Sequence, residues 1–378
     1  MTDRLRKNLE WAAGRSGALP TFTVIIAAPP WKKGLRALDP LGKVLYPLEK
    51  IQVLQAKGTL PSRQRNRAAG EAGGEILFFL DDDSEPAPDL FLQAARRFQD
   101  PGLDALGGPS LSHPDQSFWQ ACFTRALTSP FGGFGIGARY EAKGSFRPAT
   151  EKELILCNFA IRRQVYLDSG GLDERLYPNE ENEFCNRLRE QGKTLYYDPE
   201  LVVYRFQRKN LAAFARQIFR YGRGRMEHFV LKPSFFSPAY LAPMGFLLYL
   251  VFLAAWTLQG VLSGRGLPQG AAGWIPFLPL FLYLLLDLAV SLPFALGRGP
   301  LRFLPSLFSM ALTFLVLHLS YGAGSIYGLF RGLALRLGGS REKEAGRSPV
   351  EVVPFHLPAR SGSWESVLPR KPRKREEA

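Results

Sequence analysis

Three long apolar segments near the end of the chain constrain its fold more than any other feature. Residues 240–262 (YLAPMGFLLYLVFLAAWTLQGVL), 274–296 (WIPFLPLFLYLLLDLAVSLPFAL) and 305–330 (PSLFSMALTFLVLHLSYGAGSIYGLF) each carry at most one acid or base in the interior. Each approaches or exceeds the roughly 20 residues that cross a bilayer. A helix apolar on every side belongs inside a large core or in lipid, and three in succession point to lipid. The sequence therefore predicts a multi-pass membrane region of about three helices over residues 240–330.

The charge pattern pulls the ends of this region in opposite directions. The opening MTDRLRKNLEWAAGRSG is polar and lacks the apolar stretch of a signal segment, so the part before residue 240 is expected on the cytoplasmic side. The basic run before residue 240 favours the inside, the loop 263–273 with one Arg suits the outside, and GRGPLR favours the inside again. Three full crossings then leave the tail outside, although Arg331, Arg336, Arg341 and the terminal RKPRKREEA favour the inside. The sequence leaves this conflict open. The second segment, with Pro276, Pro279, Asp287 and Pro293, is the least regular helix and the candidate for a re-entrant course. Residues 331–378 are charged, rich in Pro and Ser and without periodicity, and are expected to form a basic, mostly disordered tail.

Ahead of the apolar region, short apolar runs alternate with helical patterns. TFTVIIAAP (21–29), KIQVLQA (50–56) and EILFFLDDD (75–83) have strand character, and SRQRNRAAGEA between the last two has helical character. This alternation predicts an α/β fold with a mainly parallel sheet. With 46% hydrophobic and 22% charged residues the chain is that of a packed protein. Three cysteines, Cys122, Cys157 and Cys185, fit neither a zinc site nor a disulfide framework and are expected reduced and buried. The net charge of +14 suits nucleic acid or an anionic membrane surface; the apolar segments decide for membrane lipids, with no nucleic acid partner.

Ile76-Leu77-Phe78-Phe79-Leu80 runs directly into Asp81-Asp82-Asp83. A continuous apolar run is the mark of a central parallel strand, and such strands present ligand-binding residues at their carboxyl ends. Adjacent carboxylates repel, so a divalent cation bound through oxygen relieves them; the same acids also suit a solvated turn before Ser84-Glu85-Pro86. These residues alone leave both readings open.

Six stretches in order, TVIIAA, SRQRNRAA, ILFFLDDDSEP, CNFAIRRQVYLDSGGLDE, NEENEFCNRLREQGK and RQIFRYGRGR, resemble family 2 glycosyltransferases of the GT-A fold. The resemblance covers roughly residues 20–225. It implies a GT-A domain over 20–208, after a polar segment 1–19, with Mg²⁺ or Mn²⁺ held by Asp81 and Asp83 and bridging a donor diphosphate. It implies a donor site that includes Ala27, Arg63, Arg65, Asn66 and Asp82. Glu181 becomes the general base on the acceptor hydroxyl, with Glu180 beside it, although the family usually has Asp where this chain has Glu181. Asn158 falls on the acceptor side. Two further departures stand out: the second strand, KIQVLQAKG, ends without the family's nucleobase-reading Asp, and Tyr204 stands where many relatives have a His that joins the metal. The loop PPWKKGLRALDPLGKVLYPLEK stands in place of the family's short donor-side loop and brings in Trp31, Lys32, Lys33 and Arg36, which could clasp a diphosphate or an anionic lipid.

Residues 209–232 predict an amphipathic interfacial helix, with Leu211, Phe214, Ile218 and Tyr221 on one face and Arg216, Arg220 and Arg223 on the other. Gln217-x-x-Arg220-Tyr221 resembles the Gln-x-x-Arg-Trp signature of processive polysaccharide synthases and suggests contact with an acceptor or its diphosphate. The expectation as a whole is an inverting glycosyltransferase of the bacterial inner membrane with a cytoplasmic catalytic domain. It would move a sugar from a nucleotide-sugar to a polyprenyl-diphosphate-linked or other lipid-linked acceptor, in a polysaccharide assembly complex of the envelope. The alternative is a catalytically weak homologue serving as a membrane scaffold in such a complex.

Overall fold

The computed structural model describes residues 3–13, 15, 18–233, 238–264, 270–337 and 349–357. They divide into two compact units, the first drawn from Met1–His113, Ala138–Arg205 and Glu342–Ala378 and the second from Pro114–Gly137 and Phe206–Arg341.

The first unit contains strands β1 (Phe22–Ala28), β2 (Ile51–Lys57), β3 (Ile76–Asp81), β4 (Glu85–Pro86), β5 (Ala105–Gly107), β6 (Ser110–Ser112), β7 (Arg147–Pro148), β8 (Asn158–Arg162), β9 (Leu195–Tyr197), β10 (Val203–Arg205) and β11 (Glu351–Phe355). Eight form one sheet in the order β11-β2-β1-β3-β8-β5-β9-β7, and β4-β10-β6 form a second. Strands β2, β1 and β3 run parallel, with Ala27 opposite Asp81. Strand β8 is antiparallel to β3. The apolar runs of β1 and β3 are buried on both faces because successive side chains point to opposite sides. Val24, Ile26, Phe78 and Leu80 enter one core, while Ile25, Leu77 and Phe79 enter the other.

Along the chain, α1 (Asp3–Ala13), α2 (Leu38–Leu41), α3 (Pro61–Gly70) and α4 (Leu90–Arg97) belong to this unit. Helices α5 (Phe118–Thr128) and α6 (Pro130–Gly133) belong to the second, and α7 (Arg163–Asp168) and α8 (Glu180–Glu190) return to the first. The N-terminal segment expected to be merely polar folds as α1, burying Leu9 and Ala12. Arg4 clamps Asp89 through two hydrogen bonds of 2.8 and 2.7 Å.

Part of the expected disordered tail is also ordered. Strand β11 pairs antiparallel with β2 over Glu351↔Lys57 to Phe355↔Val53 and covers an otherwise open sheet edge. Its position at the rim tolerates Pro354. Val350 and Val352 pack against the core. The tail's remainder, 338–348 and 358–378, lies outside the described residues, as do residues 265–269 of the expected outer loop.

The second unit continues with α9 (Leu211–Leu231), α10 (Ala242–Leu262), α11 (Gly270–Trp274), α12 (Leu278–Leu296) and α13 (Phe303–Arg336). Helices α10, α12 and α13 lie in the three stretches long and apolar enough to cross a membrane, 238–262, 272–296 and 300–336. On the apolar face of α9, Phe214 and Ile218 are buried. Phe214 stacks on Phe123 of α5 at 4.3 Å. Along α13 the two backbones nearly touch: a Cβ on Gly222, Gly324 or Gly328 would lie 2.2, 2.0 or 2.3 Å from a carbonyl oxygen of the partner helix.

Candidate active site

Asp81 ends β3, and the turn after it carries Asp82 and Asp83. Ser84 Oγ accepts from the Asp81 amide at 3.1 Å, fixing the turn. Two arginines from distant parts of the chain meet these acids. Arg65 in α3 donates from Nη2 to Asp81 Oδ1 at 2.9 Å and from Nη1 to Glu180 Oε1 at 3.0 Å. It thereby ties the carboxyl end of β3 to the first residue of α8. Arg205, the last residue of β10, pairs with Asp81 Oδ2 at 3.1 Å and reaches Asp83 Oδ1 from both Nη2 and Nε at 2.9 Å. Burial opposes the charge on Arg65 and Arg205, and their carboxylate neighbours, Asp81 first for Arg65 and Asp83 first for Arg205, more than restore it.

Glu180 is buried, and its Oε2 accepts from the Asn179 amide at 3.1 Å. Burial, and then the Glu181 carboxylate, push it above the usual carboxylate range against the pull of Arg65. Glu181 is more open, 20% exposed, and faces Arg139 Nη1 at 3.4 Å. Arg139 is held in place by the Asn182 side chain at 2.7 Å and the Lys152 carbonyl at 3.0 Å. Both glutamates start α8, where the helix dipole favours negative charge.

The remaining expected site residues fall into two groups. Ala27 lies beside Asp81 in the register, and Asp82 is paired with Lys32 of the donor-side loop. Lys33 and Arg36 of that loop are exposed, and Trp31 is 74% exposed. Arg63 is half-buried, and its Nη1 has no partner among the described residues. Asn66, expected to contact donor, spends its amide on the protein. It donates to the Leu172 carbonyl at 2.8 Å and Glu174 Oε1 at 3.1 Å, and it accepts from Tyr166 Oη at 2.6 Å and the Leu172 amide at 2.8 Å. Gly171 is needed here, since its φ is +65° and a Cβ would lie 2.6 Å from Asn66 Oδ1. Asn158 is fully buried, donating to the carbonyls of Pro109 at 3.0 Å and Leu201 at 2.6 Å, and so holds backbone. Gln217, Arg220 and Tyr221 sit on α9 in the second unit: Gln217 Nε2 donates to Tyr221 Oη at 2.8 Å, and Arg220 is exposed.

Arg205 and Arg139 are the participants that sequence reasoning missed. Arg205 ends β10, separated by Tyr204 from the buried Leu201-Val202-Val203. Neighbouring strand residues point to opposite faces, so Tyr204 and Arg205 cannot share a role. Lys57, the last residue of β2, pairs with Glu351 of β11 at 3.4 Å.

Asp81 Oδ2 and Asp83 Oδ1 pair with two different nitrogens of one cationic group, the Arg205 guanidinium. Oxygen donors of this kind suit Mg²⁺ or Mn²⁺, which keep several positions for water and phosphate. No group of three or more His, Cys, Asp or Glu side chains suited to a metal occurs among the described residues.

The family described as "Glycosyltransferase like family 2" matches residues 19–224, more than half of the 378-residue chain. The chain is a family 2 glycosyltransferase. Its first unit is an α/β GT-A-like domain with a mostly parallel core sheet, followed by long apolar helices, and its reaction is sugar transfer from a nucleotide-sugar. Curated proteins yield no match to this glycosyltransferase. Among solved structures, the mannosyltransferase PcManGT from Pyrobaculum calidifontis, in complex with GDP-Man and Mn²⁺, is 15% identical over 85% of this chain and 93% of its own, with a TM-score of 0.46. S. aureus TarS 1–349 in complex with UDP-GlcNAc is 15% identical over 57% of this chain and 76% of its own, with a TM-score of 0.38. A second S. aureus TarS structure is 14% identical and matches 58% of this chain and 45% of its own, at a TM-score of 0.38.

Proposed function

We propose that the protein is a membrane-anchored inverting glycosyltransferase with a lipid-linked acceptor, acting in polysaccharide synthesis at a bacterial inner membrane. The observation that carries the catalytic part is the Asp81–Arg65–Glu180 bridge, which joins the acidic strand end to the start of α8 and leaves Glu181 open beside it. In this reading Glu181 takes the proton from the acceptor hydroxyl as that oxygen attacks the anomeric carbon. The new glycosidic C–O bond forms as the bond from that carbon to the diphosphate breaks, and the nucleoside diphosphate leaves with the bonding pair. Asp81 and Asp83 would hold Mg²⁺ or Mn²⁺, which when bound supplies a Lewis acid for the leaving diphosphate. Arg63, with its unpartnered Nη1, is the donor-side base best disposed to meet an anion. Asn66 and Asn158 position loops and strands around the site.

Three apolar stretches of membrane-crossing length support the anchoring, and the exposed Arg216 and Arg220 of α9 suit lipid phosphates or an acceptor diphosphate. One observation favours the scaffold alternative: in this structure each of Asp81 and Asp83 is engaged by arginine. The test is transfer from a panel of nucleotide-sugars to a polyprenyl-diphosphate sugar by full-length protein in nanodiscs, with Mn²⁺ or with chelator. Donor binding with product formation supports the enzyme; binding of no donor by an otherwise folded protein leaves the scaffold.

A further inference from the structure

The order of the strands limits how the helical region can meet a bilayer. Strand β2 precedes all three long apolar stretches and β11 follows them, yet the two pair directly over five residues of register. Hydrogen-bonded strands of one sheet lie on one side of a membrane. The chain between Arg205 and Val350 must therefore cross an even number of times, which rules out three full crossings.

Packing within the second unit indicates which stretch stays out. Residues 114–137 leave the first unit after His113 and rejoin it at Ala138. Their helices, α5 and α6, have 11 and 4 residues. At 1.5 Å per residue even α5 reaches only about half of the roughly 30 Å hydrocarbon core, so this excursion begins and ends on the domain side. Helix α13 keeps company with it and with α9. Just before α13 begins, Phe294 and Arg298 lie 6.2 and 5.6 Å from the Phe118 ring. At its middle, Phe314 and His318 pack on Phe131 at 5.1 and 4.7 Å, and His318 Nε2 lies 2.9 Å from the Phe131 carbonyl oxygen. Toward its end, Gly324 and Gly328 abut the α9 backbone, and Arg331 pairs with Glu227 at 2.8 Å. Its apolar window is 33% buried, against 11% for each of the other two.

The other two stretches pair as an antiparallel hairpin. Phe246 stacks on Tyr283 at 4.2 Å, Tyr249 Oη donates to the Pro276 carbonyl at 2.6 Å, and Trp256 approaches Phe277 at 6.1 Å. Later residues of one stretch thus meet earlier residues of the next, as a chain going out and returning requires.

We propose that α10 and the α11–α12 stretch cross the bilayer as a hairpin, while α13 does not cross and instead lies in the domain-side leaflet. Its exposed face, with Leu304, Phe308, Leu312, Tyr327 and Phe330, meets acyl chains, and the protein packed against it is α5, α6 and α9, together with α10 at Gly322 and α12 at His318. This topology returns the basic tail to the side of the catalytic domain, where its charge favours it. It depends on the apolar helices being in a membrane and not on the reaction catalysed.

The test is labelling of single added cysteines in the full-length protein, in sealed vesicles of known orientation, with a membrane-impermeant maleimide. Native thiols are buried. S263C reports the hairpin tip, L301C the turn before α13, H356C the residue after β11, and E71C the domain itself. L301C, H356C and E71C are expected to label from one side and S263C from the other. Labelling of L301C and H356C on opposite sides would mean that α13 crosses, and labelling of S263C on the E71C side would mean that the hairpin does not; either result overturns the proposal.

Discussion

Replacing Arg205 with Met keeps much of the buried alkyl chain and removes the charge that bridges Asp81 and Asp83. If those acids form a cation site, Arg205 is an internal competitor for it, and its loss should strengthen the binding of Mn²⁺ alone. The guanidinium makes one contact of 3.1 Å to Asp81 and two of 2.9 Å to Asp83. A hydrogen bond to a charged group contributes about 1.5–3 kcal/mol. The three side chains are 20%, 29% and 30% exposed, so solvent screens the set toward the worth of a single such bond. Displacing Arg205 then costs a cation about 1.5–3 kcal/mol, or roughly 10- to 100-fold in apparent Kd. Free Mn²⁺ measured by electron paramagnetic resonance, with full-length protein in nanodiscs, should show R205M binding at least tenfold more tightly than the wild type. The further change D83N should abolish the gain. General damage to the site would weaken Mn²⁺ binding, so the sign separates competition from misfolding. Equal or weaker binding by R205M, or a gain that survives D83N, would refute the convergence of Asp81 and Asp83 on a common cation.

Glu181→Gln should retain nucleotide binding by calorimetry and lower transfer by the roughly 10²–10⁴ typical of a general base; normal turnover would remove Glu181 from that role. Asn66→Ala should destabilise the domain by about 2–4 kcal/mol, because it strips partners from the buried Tyr166 hydroxyl and the Leu172 amide. A shift in denaturant midpoint worth less than about 1 kcal/mol would show those groups to be satisfied otherwise. Burial raises the pKa of all three cysteines, with Cys122 pushed up to about 12, so at pH 8 the native protein should leave them unmodified by a thiol reagent and release three reactive thiols on unfolding. Rapid modification of any one under native conditions would contradict its burial.

Local features made some of this legible and non-local ones hid the rest. The runs of β1 and β3 declare themselves because each residue is buried on one face or the other, and Asp81 follows from where such a run stops. Glu180 and Glu181 are readable as helix-start acids from their own neighbourhood. Arg205, by contrast, matters only through acids more than 120 positions earlier, and nothing local marks that pairing. Strand β11 is a strand because β2 offers it an edge; its own sequence, with Pro354 inside, argues for a loop. Asn66 and Asn158 have side chains that suit ligands and backbone equally well, and the structure uses both on backbone or neighbouring side chains. Apolar length shows which segments can cross a bilayer, but the number that do depends on where the chain ends up afterwards.

The charges of the site bear on how donor and cation binding depend on one another. Asp81 faces Arg65 and Arg205, Asp82 faces Lys32, Asp83 faces Arg205, Glu180 faces Arg65 and Glu181 faces Arg139. Lys32, Arg65, Arg139 and Arg205 are thus already engaged by acids, which leaves Arg63, with its unpartnered Nη1, as the base an incoming diphosphate meets first. To gain more than Arg63, the diphosphate must either draw a base away from its acid, which leaves a carboxylate exposed to repulsion, or arrive with a cation that takes the acids while the freed guanidinium meets phosphate. The second course leaves fewer charges unpaired. Coupling between two ligands is reciprocal, so whatever factor Mn²⁺ adds to the affinity for a nucleoside diphosphate, the diphosphate must add to the affinity for Mn²⁺. Arg205 would set the size of that factor, since it is the group both must displace or recruit, and its removal should lower the coupling even as it strengthens the binding of the cation alone.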